Sequence, residues 1–361
     1  MEMIPLFKPY MPSQLPELDL ILHSGALSYG KWGRLFESKI GQYIGERQVL
    51  AVNSFNSAML LALGVIGIEP GDEIIASPMS CLASNQPFVT QHAKVVWADI
   101  DPVTGSLLPD SVSSKITTKT RAIFHNHFCG YPGYIDEINT IGKDNGILVV
   151  DDAIEAFGTE YKGNKIGNTG ADITVFSFQT VRLPNTVDGG AIAFKDEELY
   201  NKAIQVRDYG IDRTKFRTSN AEINIACDIS IPGFGCTLSE INSYIGCLQM
   251  DIIDELLSIQ RENAKKWIEI LKGNYFDLTV LNYDKQNNPN FWVFAILTSS
   301  KQKLMEQFRT DGYYASGVHL PNNYYSVFGE KVQLKGVEDF YSKFIALPCG
   351  WWFDLKSNIN V

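Results

Sequence analysis

The chain has 361 residues, 45% of them hydrophobic and 20% charged, with a formal net charge of −10 and a pI near 5.1. That length holds a large α/β domain plus a smaller one, and an acidic balance with no Lys/Arg-rich run argues against a nucleic-acid partner. No apolar run reaches membrane length and no secretory h-region is visible; six cysteines without a C-x-x-C pair read as reduced thiols of a cytoplasmic protein, and no histidine spacing suggests a metal site.

In chain order, a proline-punctuated opening leads to a predicted helix over Leu15–His23, the turn Ser24-Gly-Ala-Leu-Ser-Tyr-Gly30 and a second helix over Gly33–Tyr43. A strand over Val49–Val52 then meets the polar turn Asn53–Ser57 and a helix over about Ala58–Gly67. Strand, short turn and helix in succession leave free backbone N–H groups at a helix N-terminus, a natural phosphate site. The alternation continues with a strand over Glu73–Ala76, the turn Ser77–Cys81, a helix to about His92, and strands over Lys94–Ile100 and Ala122–Phe128. A helix over Ile135–Asp144 precedes a strand over Ile147–Val150 that ends at Asp151-Asp152. Such alternation predicts a mainly parallel sheet with helices on both faces, and these sheets bind ligands beyond the carboxyl ends of their strands. Asn53, Ser77, His127, Asp152 and Ser177 all fall at such ends.

Between Asp172 and Gly190 a β-rich run, Ile173–Phe178, gives way to small and polar residues, passes Arg182 and reaches Gly189-Gly190 before another strand, Ala191–Phe194. Paired glycines beside a strand end let backbone approach a ligand closely. A helix over Glu197–Tyr209 and a polar segment, Gly210–Asp228, follow. A long helical pattern then starts at Thr237-Leu-Ser-Glu240 and runs, with a break, to Leu271. The C-terminal stretch predicts a strand over Asn290–Leu297, a helix over Lys301–Asp311 and strands over Tyr313–His319 and Ile345–Pro348, forming a smaller α+β lobe. The expected division is residues 1–240 for the large α/β domain with its N-terminal segment, and 241–361 for the long helix and small domain.

Several of these segments form an ordered set: Ala98-Asp-Ile-Asp-Pro102, His127-Phe-Cys-Gly-Tyr-Pro132, Asp151-Asp-Ala-Ile-Glu-Ala-Phe-Gly158, Phe176-Ser-Phe178, Asp188-Gly-Gly190, Tyr209-Gly-Ile-Asp-Arg213 and Leu238-Ser-Glu-Ile-Asn242. With the Ser24 and Asn53 turns, their order and spacing resemble the DegT/DnrJ/EryC1/StrS family, nucleotide-sugar aminotransferases of the fold-type I pyridoxal-phosphate group. The resemblance implies the fold-type I architecture and a homodimer with cofactor sites at the interface. It places Asp152 under the pyridine nitrogen of pyridoxal or pyridoxamine 5'-phosphate, where a carboxylate keeps that nitrogen protonated. It places Glu155 at the ring hydroxyl, with Asn56, Ser57 and Ser177 around the phosphate. His127 reads equally as a buried, satisfied histidine or as a cofactor or substrate contact, and His319 is a further candidate for the substrate. Trp351-Trp352 and Asn322–Tyr325 suit either a sugar-nucleotide cleft or a core or dimer interface.

Three departures stand out. Cys81 occupies the place of an aromatic ring stacked on the cofactor, Val187 replaces a residue that is usually glycine, and Arg182 stands where the family carries the lysine that holds the cofactor covalently. Covalent attachment needs a neutral primary amine, whereas a guanidinium stays protonated and delocalised. No lysine lies between Lys165 and Lys195 to take over. The resemblance therefore implies an aminotransferase scaffold for a keto-sugar nucleotide, with glutamate as amino donor and surface polysaccharide or another glycoconjugate as destination, in which the cofactor is noncovalent and transamination impaired. Two other readings stay open: a pyridoxamine-phosphate sugar dehydratase, and a non-catalytic cofactor-binding or partner subunit.

Overall fold

The computed structural model describes residues 3–272, 277–281 and 283–355. The strands are β1 (Val49–Val52), β2 (Glu73–Ala76), β3 (Lys94–Trp97), β4 (Thr120–Asn126), β5 (Leu148–Ala153), the short hairpin β6 (Glu160–Tyr161) and β7 (Asn164–Lys165), β8 (Ile173–Ser177), β9 (Gly190–Phe194), β10 (Leu278–Val280), β11 (Phe294–Thr298) and β12 (Phe344–Leu347). The helices are α1 (Leu18–Leu22), α2 (Lys31–Ile44), α3 (Phe55–Ile66), α4 (Leu82–Thr90), α5 (Pro109–Lys115), α6 (Ile135–Asn145), α7 (Glu197–Val206), α8 (Glu240–Met250), α9 (Ile253–Leu271), α10 (Lys301–Thr310) and α11 (Lys335–Lys343).

Seven strands form the main sheet in the order β1-β9-β8-β5-β4-β2-β3. From β8 to β3 all pairings are parallel, while β9 runs antiparallel to both β8 and β1. Every strand of this sheet except β9 therefore delivers its carboxyl end to one edge, which is where chemistry is expected in such folds. β1, β2, β8 and β9 are buried along their whole length, as strands covered on both faces must be. A second, antiparallel sheet of β10-β11-β12 forms the small lobe. It shares one apolar cluster with the main sheet, joined through residues such as Trp267, Phe294 and Phe340.

Local chemistry sets the boundaries. α3 starts at Phe55, three residues ahead of the predicted helix, because the Ser54 side chain caps it by accepting from the Ser57 N–H at 3.1 Å. The long helical pattern breaks between Met250 and Ile253, and Ser239 caps its first half by accepting from the Asn242 N–H. α8 packs on α2 where Gly246 leaves room for the Phe36 ring. Predicted strand Asn290–Leu297 begins only at Phe294, because Asn290 spends its side chain on loop contacts and Phe291 turns left-handed at φ 52°.

The predicted strand Tyr313–His319 is not formed. That segment touches its neighbours through single bridges, Ile4 to Tyr313 and Ser316 to Ala346, and Val318 leaves the extended region at φ 57°. α5, α11 and β10 were not predicted; each is short, although α11 does bury one face through Val337 and Phe340.

Candidate active site

The carboxyl edge of the main sheet brings most of the expected residues together. Ser177 closes β8 opposite Gly190, the first residue of β9. A side chain at Gly190 would meet the Phe176 carbonyl at 2.8 Å and the Ser54 carbonyl at 3.0 Å, so only glycine lets β9 pass this close to the start of α3. The ends of β1 and β8 and the N-terminus of α3 thereby converge. The Ser57 hydroxyl donates to Asn53 Oδ1 at 2.6 Å, and Asn56 is exposed at the same turn. Hydroxyls and helix N-terminal N–H groups in this arrangement can cradle a phosphate.

Asp152, near the end of β5, is 3% exposed and has no cationic partner among the described residues. It accepts from the Ile154 N–H at 3.2 Å and from the Ser80 hydroxyl at 3.4 Å. Burial pushes this carboxyl up to about 6, against the nearby Ser84 hydroxyl and the hydrogen bond from the Ile154 N–H. A buried carboxylate without a counter-cation is suited to a ligand that brings one, as a pyridinium nitrogen does. Its neighbour Asp151 differs: burial raises that carboxyl, but His127 and His125 more than offset it and hold it well below the usual range.

His127 belongs to this second network. It is fully enclosed, its Nδ1 accepts from the Gly133 N–H at 3.3 Å and its Nε2 lies 3.4 Å from Asp151. A substrate would have to open that packing to touch it. His125, His127 and Asp151 also form a compact cluster of ligand-type atoms. The Gly133 bond leaves the proton of neutral His127 on Nε2, facing Asp151, which suits a hydrogen-bonded network rather than a metal.

Glu155 is the hub of the cleft. Its Oε2 accepts from the Cys129 N–H at 2.7 Å, its Oε1 from His319 Nε2 at 2.8 Å, and Arg182 Nη2 stands 3.7 Å from Oε1. Burial raises this carboxyl, but His319, Arg182 and the Cys129 N–H outweigh it and hold it below the ordinary range. His319 is thus brought to the site from the small lobe despite lying outside any strand.

Arg182 is 6% exposed. Its guanidinium carbon lies 4.1 Å from the centroid of the Trp292 ring, and its Nε and Nη1 find no acceptor among the described residues. Burial lowers its pKa and the Glu155 charge opposes that, yet a guanidinium stays protonated at any physiological pH. The loop carrying it is clamped from two sides. The Asn185 N–H donates to Gln249 of α8 at 2.9 Å and its side-chain amide to the Tyr10 carbonyl at 2.6 Å, while Asn242 of α8 holds the Thr186 and Asp188 carbonyls. Val187, at the usual glycine position, takes φ 69°.

Sequence reasoning missed Trp292, Asn290 and Lys8. Trp292 donates its indole N–H to the Val181 carbonyl at 3.0 Å and stacks on Phe7 at 4.3 Å. Asn290 donates to the Glu155 and Phe157 carbonyls at 2.7 and 3.0 Å, tying the cleft wall to the small lobe. Lys8 lines the small cavity beside Arg182. Only a pairing across distant chain segments identifies these three. Cys81 caps α4 without a side-chain bond, and burial pushes its thiol up. Trp352 lines the Arg182 cavity, whereas Asn322 is buried and holds the Ser80 carbonyl.

The residues present fit a pyridoxal-type cofactor: an uncompensated carboxylate at Asp152, a hydroxyl-bearing helix N-terminus for a phosphate, and orphaned Arg182 donors beside Glu155. A sequence model described as the DegT/DnrJ/EryC1/StrS aminotransferase family matches residues 12–359. Among solved structures the chain is similar to AtS13 from Actinomadura melliaura, with 29% identity, a TM-score of 0.91 and coverage of 98% of this chain and 95% of that one. It is equally similar to the sugar aminotransferase CalS13 from Micromonospora echinospora, with 28% identity, a TM-score of 0.90 and coverage of 98% and 96%. It is also 30% identical over 254 residues to the spore coat polysaccharide biosynthesis protein SpsC of Bacillus subtilis, covering 70% of this chain and 65% of SpsC.

Proposed function

The chain belongs to the DegT/DnrJ/EryC1/StrS aminotransferase family, and from this we propose that it binds pyridoxal or pyridoxamine phosphate without a covalent bond, in a site built for keto-sugar nucleotides whose transamination is impaired. Aminotransferases of this family use that cofactor, and the fold is that of its fold-type I sugar aminotransferases. The observation that carries the reading is Arg182, buried against Glu155 and Trp292 where the resemblance places the lysine.

When bound, the cofactor ring acts as an electron sink for the substrate carbon. Asp152 would keep the ring nitrogen protonated, since a carboxylate held up to about 6 by burial gains most from a cation beside it. Ser177, Asn56 and Ser57 would hold the phosphate, and Glu155 would meet the ring hydroxyl. Cys81 would face the ring with a thiol in place of an aromatic stack. Arg182 adds positive charge and cannot donate a neutral amine.

Likeness to CalS13 and SpsC supports a sugar substrate and a place in surface polysaccharide synthesis, such as O-antigen, with an amino acid such as glutamate as donor. A homodimer is what the family resemblance implies. No helix among the described residues is long and apolar enough to cross a membrane, in keeping with a cytoplasmic site of action.

The test is equilibrium dialysis with each cofactor form, followed by a transamination assay on a 4-keto-6-deoxy sugar nucleotide. Saturable cofactor binding with amino transfer at least about a thousandfold below that of Arg182→Lys supports the reading. Absence of saturable binding removes it and favours a pure interaction protein.

A further inference from the structure

We propose that Glu155 and His319 form a proton-transfer pair, in which His319 takes a proton from, and returns it to, the carbon attached to the cofactor ring while Glu155 holds the imidazole in place. The proposal rests on the cofactor reading above. It assigns to His319 the proton relay that Arg182 cannot perform.

The geometry carries it. Glu155 Oε1 accepts from His319 Nε2 at 2.8 Å, and the other carboxylate oxygen is fixed by the Cys129 N–H at 2.7 Å. In the neutral ring a carboxylate acceptor settles the tautomer, with the hydrogen on Nε2 and the lone pair on Nδ1, the form a general base requires. Nδ1 has no hydrogen-bond partner among the described residues, and the His319 side chain is 17% exposed while Glu155 is 3% exposed. The imidazole therefore reaches solvent from a buried anchor. Its ring lies parallel to Trp292, with centroids 6.5 Å apart and 10° between planes, and edge-on to Phe128 at 6.3 Å. The preceding Val318 sits at φ 57°, a costly conformation for a β-branched residue, and this turns the chain so that His319 faces Glu155 rather than continuing a strand.

The other groups around Glu155 are poor competitors. Arg182 is a permanent cation, and burial keeps the Cys81 and Cys129 thiols protonated by pushing both up. Asp152 is committed to the ring nitrogen in the reading above. In the transfer itself a C–H bond breaks, its electron pair stays with the carbon and is delocalised into the ring, and the proton moves to Nδ1. The imidazolium so formed is stabilised by Glu155, and the reverse step returns the proton.

The experiment incubates the purified protein with pyridoxamine phosphate in D2O and follows the 4'-methylene hydrogens by proton NMR, with no sugar or amino acid present. The expected result is exchange of one of the two hydrogens, faster than in free pyridoxamine phosphate. His319→Gln should slow it about 100-fold or more, with cofactor affinity within about twofold. In the double variant Arg182→Lys, His319→Gln the amine should restore exchange, which separates lost proton transfer from lost folding. Wild-type exchange in His319→Gln, no exchange in a wild-type protein that binds the cofactor, or no recovery in the double variant overturns the proposal. Failure of the wild type to bind pyridoxamine phosphate overturns the cofactor reading instead, and the pair falls with it.

Discussion

Trp292 supports the Arg182 guanidinium 4.1 Å from its ring centroid while its own indole N–H holds the carbonyl of Val181, the residue before it, at 3.0 Å. One aromatic side chain thus fixes both the backbone and the head group of the position on which the chemistry turns. Trp292→Leu should free Arg182 and cost about 3 kcal/mol, from lost burial, the unpaired Val181 carbonyl and the lost cation–π contact. Urea unfolding measures the loss; a cost below about 1 kcal/mol would mean that the stack is incidental.

Asp152 makes the stability of the cofactor-free protein depend on pH. Its folded-state value near 6 lies above the ordinary 3.8. Between those values the unfolded chain has released a proton that the folded chain retains, so stability falls as pH rises through that window and the deficit persists above it. The deficit is roughly 3 kcal/mol at most. Asp152→Asn should therefore stabilise the cofactor-free protein at pH 8, differ little from wild type at pH 4, and bind pyridoxal phosphate at least about tenfold more weakly. Thermal melts at the two pH values check the sign. A variant equally destabilised at both would show that the carboxylate is paired.

Val187 holds φ 69° with a β-branched side chain that is 49% exposed. Relief of backbone strain should exceed the added chain entropy of glycine, so Val187→Gly is expected to stabilise by on the order of 1 kcal/mol. Denaturant midpoints with unchanged slope are the measurement. A destabilised Val187→Gly would indicate that the valine side chain makes contacts worth more than the strain.

Asn290 satisfies the Glu155 and Phe157 carbonyls, and its Oδ1 accepts from the Trp292 N–H at 2.9 Å. Asn290→Ala leaves those buried groups without partners and should cost about 2–4 kcal/mol. Because the same bonds hold the Glu155 wall against the small lobe, cofactor affinity should fall as well. A stability loss with unaltered cofactor binding would uncouple the lobe from the site.

Much of this was legible in the sequence because strand ends and their polar turns are local features. β1, β2 and the chain from Ile173 to Phe194 follow from periodicity and from paired glycines, and Asp152 and Ser177 stand at strand ends, whereas Glu155 is named only by the family resemblance. What remained hidden depends on distant partners. Nothing near Tyr313–His319 indicates that Val318 turns left-handed and sends His319 across to Glu155, and the alternation there imitates a strand. Trp292 reads as one more core aromatic until Arg182 is placed upon it. The enclosure of His127 is likewise set by residues that the chain brings together only in the fold: Asp151 across the sheet and Gly133 in the following turn.

The central claim is that Arg182 leaves the cofactor without a covalent anchor. Borohydride reduction of the protein saturated with pyridoxal phosphate, followed by intact-mass spectrometry and peptide mapping, tests it most directly. The wild-type protein should keep its unmodified mass while Arg182→Lys gains one pyridoxyl group at position 182. A stoichiometric pyridoxyl adduct on the wild-type chain, at Lys8 or any other lysine, would contradict it.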